Sequence, residues 1–151
     1  MRYPPPARQL MNRMIEKACA ICGLLDKNPD FSIAVNFVDS KTICRINREF
    51  VGHEGTTDVI SFNYMDPCNP CQDDINAEIF ICTDTAEQAA KSLKRRFSDE
   101  IALYLVHGIL HVSGEDDLIP KDRKRMRGLE RKVLSELRKT FDFEIIFPAL
   151  E

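Results

Sequence analysis

The stretch His107-Gly-Ile-Leu-His111-Val-Ser-Gly114-Glu-Asp-Asp117 decides how the rest of the chain is read. It closes an apolar run, Ile101 to Leu110, with the spacing of a helix. Ser98 is its expected N-cap, and Asp99 and Glu100 fall in its first turn, where the helix dipole favours them. The two histidines are four residues apart, so on a helix they share one face, about one turn apart. Gly114 suits the left-handed residue that ends a helix, and the chain then turns into three acidic residues. Such a turn can carry a carboxylate back over the histidine face. Two imidazoles and one carboxylate make an open metal site, with a coordination position left for water.

Paired histidines on an apolar helix also occur as hydrogen-bonded core residues. Three features separate this stretch from that case. The chain has three histidines, and two of them fall in this one turn. Gly108 costs a helix interior about 1 kcal/mol against alanine, which implies a close approach by another group. The acidic cluster sits at a helix C-terminus, where the dipole disfavours negative charge.

Working outward, 151 residues are enough for one domain spanning 1–151 with its own core, including a proline-rich arm at 1–6 and an extension at 140–151. Hydrophobic residues are 44% and charged ones 30%, as in ordinary globular proteins, and no apolar run approaches the ~18–20 residues needed to cross a bilayer. Met-Arg-Tyr-Pro-Pro-Pro lacks the apolar segment of a signal peptide, so a cytoplasmic protein with no membrane partner is expected. The net charge is −3, yet between Lys121 and Lys139 nine basic residues face three acidic ones. Lys121, Arg123, Lys124 and Arg127 lead that run, and Arg95 and Arg96 belong to a second basic cluster just before the histidine helix. A local basic field on a mildly acidic protein is suited to a polyanion, although solvated basic helices are common. Cys19-Ala-Ile-Cys22 and Cys68-Asn-Pro-Cys71 mimic a four-cysteine zinc site. Cys19 and Cys22, however, continue the apolar face of Met11 and Ile15, so free thiols in a reducing compartment are the expectation.

Helical spacing from Ala7 to about Leu24 ends at Gly23, and Phe31 to Phe37 alternates as a strand. Asp39 or Ser40 caps a short helix carrying Ile43, Ile46 and Phe50 inward. Val51 to Thr57 is a polar loop that feeds the strand Asp58 to Phe62, and a long loop leads to the strand Ala77 to Cys82. Thr83 or Asp84 opens the next helix, with Glu87 in capping-box position, and Pro120 opens a long last one. Phe141, Phe143 and the residues after them alternate like an edge strand or a partner contact. The expected fold is α+β, a small mixed sheet of three to four strands covered by about five helices.

The histidine stretch resembles the signature of the YbeY family of metal-dependent endoribonucleases, His-Gly-x-Leu-His-x-x-Gly-Tyr-Asp-His. His107, Gly108, Leu110, His111, Gly114 and Asp116 stand where that signature wants them. Glu115 replaces its tyrosine and Asp117 its third histidine, the usual third zinc ligand. Thr57-Asp-Val-Ile-Ser-Phe62, Ala77-Glu-Ile-Phe-Ile81 and Asn47-Arg-Glu-Phe50 resemble three further family segments in matching order, and the likeness runs from about 31 to 137. Where the family usually has an arginine after the aromatic, this chain has Val51, with Arg48 one turn earlier as a substitute guanidinium.

The resemblance implies one zinc ion per chain on His107, His111 and Asp117, metal-activated water and cleavage of single-stranded RNA. Arg48, Arg95, Arg96, Lys121, Arg123, Lys124 and Arg127 would meet the RNA backbone. It further implies ribosomal RNA maturation at the small-subunit 3′ end and ribosome quality control, with the small ribosomal subunit and an Era-type GTPase as partners. His53 is the rival third ligand, and no residue is assigned as general base. A metalloprotease of the zincin type needs glutamate after the first histidine, where this chain has Gly108. Val51 and Asp117 keep a second reading open, a ribosome-assembly factor that binds RNA with weak or no catalysis.

Overall fold

The computed structural model describes residues 3–65 and 74–149. Helix α1 (Arg8–Ile21) and the four-residue α2 (Leu24–Lys27) lead into β1 (Ile33–Val38). Then come α3 (Ser40–Ile46), a π-helical segment (Asn47–Val51) that continues it, β2 (Val59–Asn63) and β3 (Ala77–Cys82). The chain closes with α4 (Thr83–Leu93), α5 (Phe97–Val112), α6 (Pro120–Arg138) and α7 (Phe143–Ile146). The sheet order is β1-β3-β2, with β1 parallel and β2 antiparallel to β3. The expected α+β fold with a small mixed sheet is therefore the fold observed. The two helices beyond the expected five, α2 and α7, have four residues each, too few to show a period in the sequence.

Period-two alternation on β3 divides the core. Ile79 and Ile81 face α5 and join the main cluster with Leu105, Val106 and Ile109. Cys82 faces the other way and joins Ile43, Ile46 and Ile60 under α3. The sheet is thus covered on both sides, and α5, with eleven of sixteen residues buried, is the axis of the larger layer. Gly108 explains the fit between α5 and the sheet. A Cβ there would lie 2.9 Å from Ile79 Cδ1 and 3.1 Å from its Cγ2, so the glycine lets helix and strand approach each other. The close approach expected from Gly108 is real, and the approaching group is the protein's own central strand.

Several local expectations need correction. Ser98 is not the N-cap of α5. Arg96 holds that position without a side-chain bond, and Ser98 lies inside the first turn with its hydroxyl buried and unpartnered among the described residues. α4 does open at Thr83, but its N-cap is Cys82, with no side-chain cap bond. Asp84 Oδ2 instead accepts from the Ser40 N–H at 2.8 Å and, beside the Asp39 cap on Thr42, satisfies the free end of α3. The 140–151 extension contributes no edge strand to its described part. Asp142 accepts from Glu144 N–H and starts α7, so Phe143, Ile146 and Phe147 reach the main core at helical spacing. Residues 68 and 71, half of the four-cysteine pattern, lie outside the described residues. Burial pushes the Cys19 thiol up to about 12 and the Cys22 thiol up to about 11, as suits small hydrophobes. Among the described residues no helix is long and apolar enough to cross a membrane.

Candidate metal centre

α5 delivers the site. Its last two turns place His107 and His111 on one face, and Gly114, at φ +109°, ends the helix. The Gly114 N–H donates to His111 O at 3.1 Å and the Glu115 N–H to Leu110 O at 3.0 Å, so the chain doubles back within a few residues. This return brings Asp117 over the histidines. Its Oδ2 is 3.5 Å from His107 Nε2 and its Oδ1 is 3.6 Å from His111 Nε2, while the two Nε2 atoms are 3.0 Å apart.

These distances test whether a metal fits. With bonds of about 2.0–2.1 Å, ligand atoms at the corners of a zinc tetrahedron are roughly 3.3–3.4 Å apart. The contacts found here, 3.0 Å between the two Nε2 atoms and 3.5 and 3.6 Å from them to the two carboxylate oxygens of Asp117, bracket that spacing, and one ligand atom from each residue lies within 4.8 Å of the others. Among the described residues, this is the group of histidine, cysteine and carboxylate side chains whose ligand atoms converge closely enough to share an ion. The side chains are 22%, 27% and 35% exposed, so the cluster opens to water on one side.

Glu130 fixes the polarity of the arrangement. From α6, its Oε2 sits 3.0 Å from His107 Nδ1, which must therefore carry the proton and donate, leaving the Nε2 lone pair aimed into the cluster. Glu130 itself is 8% exposed. Burial works against a charged His107, but the Glu130 hydrogen bond and the charges of Glu130, Asp58 and Asp117 outweigh it and hold the His107 pKa above its ordinary value. Sequence reasoning passed over Glu130. The signal was present: an acid embedded in the apolar stripe of Met126, Val133, Leu134 and Leu137 is a buried charge that needs a partner.

A groove of about 470 Å³ runs from the cluster, lined by Asn47, Val51, His53, Thr57, Ser61 and His111. His53, the rival third ligand, thus shares a cleft with His111 but stands outside the converging group. Arg48 lies exposed on the π-helical segment that supplies Asn47 and Val51. Lys121, Arg123, Lys124 and Arg127 are exposed on the first turns of α6, the half of that helix that leaves the Asp117 loop and reaches Glu130. Arg95 and Arg96 are not brought to the cluster. They stand at the opposite end of α5, about 22 Å of helix from His111, engaged with Glu100 and Glu144.

Comparison with known proteins gives one consistent result. The sequence profile of the family described as Endoribonuclease YbeY matches residues 5–138. Endoribonuclease YbeY of Porphyromonas gingivalis is 33% identical over 142 residues, which covers 94% of this chain and 88% of that protein. The protein of the same name from Elusimicrobium minutum is 43% identical over 90 residues, 60% of this chain and 63% of its own length. Among solved structures, the solution structure of TM1509 from Thermotoga maritima superposes with a TM-score of 0.59 at 26% identity, over 91% of this chain and 87% of that one.

Proposed function

This chain belongs to the endoribonuclease YbeY family, and from that premise we propose that it is a metal-dependent nuclease whose single zinc ion is held by His107, His111 and Asp117. The observation that carries the reading is the convergence of ligand atoms from the three residues, with His107 Nε2 turned inward by the bond from Nδ1 to Glu130. The ion, when bound, supplies a water of lowered pKa and a positive charge for the phosphoryl oxygens. The chain's own residues do the rest. Glu130 holds the His107 tautomer, Asp117 closes the third corner, and the groove from Asn47 to Ser61 receives a strand beside the open side of the cluster.

The substrate we propose is single-stranded RNA. The groove adjoins His111, and the basic first half of α6 offers Lys121, Arg123, Lys124 and Arg127 to the backbone without reading sequence. Arg48 shares the π-helical segment with Val51, the position vacated by the family's arginine. Resemblance supports ribosomal RNA as the natural target, at the small-subunit 3′ end, in a cytoplasmic setting with the small ribosomal subunit and an Era-type GTPase as partners.

One experiment separates this from its rival. Purified protein is stripped with chelator, reloaded with zinc and given labelled single-stranded RNA. Cleavage that disappears on stripping and returns on reloading is expected. The rival reading, an assembly factor that binds RNA without turnover, draws on Val51 and Asp117 at two positions where the chain leaves the family pattern. Zinc-loaded protein that binds the RNA and leaves it intact would establish that rival.

A further inference from the structure

Asp117 has less backbone support than the two histidines. The histidines ride on a sixteen-residue helix, whereas residues 115–119 belong to no helix or strand. Side chains from α6 hold that loop instead, on both sides of Asp117. Arg125 Nε lies 3.0 Å from Glu115 Oε2 and Arg125 Nη2 lies 3.2 Å from Glu115 Oε1, a two-pronged pairing. Arg123 Nη1 donates to Leu118 O at 3.2 Å. Five residues after Arg125 on the same helix, Glu130 holds His107. Glu115 and Asp117 are also the two positions at which the histidine stretch leaves its family signature, and here one short loop joins them.

We propose that Arg125 is a positioning residue for the third metal ligand. Its guanidinium grips Glu115 and keeps Asp117 within reach of His107 and His111. α6 is then a two-point clamp, acting on one imidazole through Glu130 and on the carboxylate through Arg125. The inference rests on reading the cluster as a metal centre. The pairing is exposed, 65% at Arg125 and 27% at Glu115, so its direct worth as an ion pair is small and its effect falls on loop geometry.

The test is zinc affinity by competition with a chelating indicator, in R125A and in R125A combined with D117A. The sign discriminates. Removing a cation near a cation site should tighten binding by Coulomb's law alone, whereas loss of the clamp should weaken it, by about three- to tenfold. In the D117A background the same change should have no weakening effect, because no third ligand is left to position. Unchanged or tighter binding in R125A, or an equal loss in both backgrounds, would overturn the proposal. Amide exchange in the metal-free protein gives a second readout. R125A should speed exchange at residues 115–118 and leave the α5 amides unchanged; identical rates in the loop would sink the clamp. If the wild type takes up no zinc, the metal reading fails by itself, and the exchange result alone judges the clamp.

Discussion

The two ends of α5 carry similar numbers of charged side chains and treat them in opposite ways. At the N-terminal end, Arg95 meets Glu100 at 3.4 Å, Arg96 meets Glu144 at 3.0 Å and Arg138 meets Asp99 at 3.5 Å, so each cation has its anion. At the C-terminal end, two imidazoles and a carboxylate bring their ligand atoms together, and among the described residues no lysine or arginine approaches those atoms to within ion-pair distance. The first arrangement is complete as it stands. The second gathers electron-rich atoms that repel one another unless a cation or a proton lies between them. Under the proposed function that difference marks the working end of the helix, and it can be attacked from both sides.

The largest effect should come from emptying the electron-rich end. D117A, H107A or H111A should each lower zinc affinity and RNA cleavage by at least about a hundredfold, measured by indicator competition and by turnover of labelled RNA. H53A should retain zinc, since His53 lies outside the converging group. Zinc retained in D117A and lost in H53A would exchange the two assignments.

Next is E130Q, which leaves the ligands in place and removes the acceptor behind one of them. A loss of about 10- to 100-fold in zinc affinity is expected. The metal-free protein gives an independent check through pH. The raised His107 pKa means that its pairing with Glu130 stabilises the fold fully below the ordinary value of 6.5 and loses that contribution as pH rises through the folded-state value. The melting-temperature gap between metal-free wild type and metal-free E130Q should therefore be widest below the ordinary value of 6.5 and narrow as pH rises above it. A gap that widens with pH would reverse the assigned proton.

How much of this contrast could be read in advance depends on the range over which each contact acts. The i, i+4 histidines and Gly114 are local, within one helix end and its turn, so spacing was enough to place them; spacing also announced a returning carboxylate, and the family resemblance singled out Asp117 among the three acids there. Gly108 announced a close approach without naming Ile79, because strand and helix are 29 positions apart and only the fold joins them. Ser98 looked like a cap by residue type, but Arg96 took that place when the helix began two residues earlier. Glu130 looked like one charge among many on a basic helix, and its burial against His107 exists only once α5 and α6 have packed. Phe141 and Phe143 alternate as a strand would, yet the Asp142 cap and the core behind α5 turned the segment helical. The Gly108 contact yields a prediction of its own. G108A gains helix propensity but drives a Cβ into a buried, β-branched Ile79, for a net loss of about 1–2 kcal/mol in denaturant unfolding.

The smallest effect sharpens the comparison most, because it concerns charges of the same sign on the same protein. Reversing Arg123 and Arg127 together should weaken RNA binding several-fold and reduce its salt slope by about one to two, since both sit on the half of α6 nearest the cluster. Loosening of the Leu118 contact adds to the Arg123 part of that change, so R127E alone isolates the electrostatic share. Reversing Arg95 and Arg96 changes the net charge by the same amount. Those side chains are already paired and stand about 22 Å of helix from His111, more than two Debye lengths at physiological salt. RNA affinity in that variant should stay within about twofold of wild type, with an unaltered salt slope. Equal losses in the two double variants would mean that RNA responds to overall charge rather than to a surface. The contrast between the ends of α5 would then belong to the metal alone.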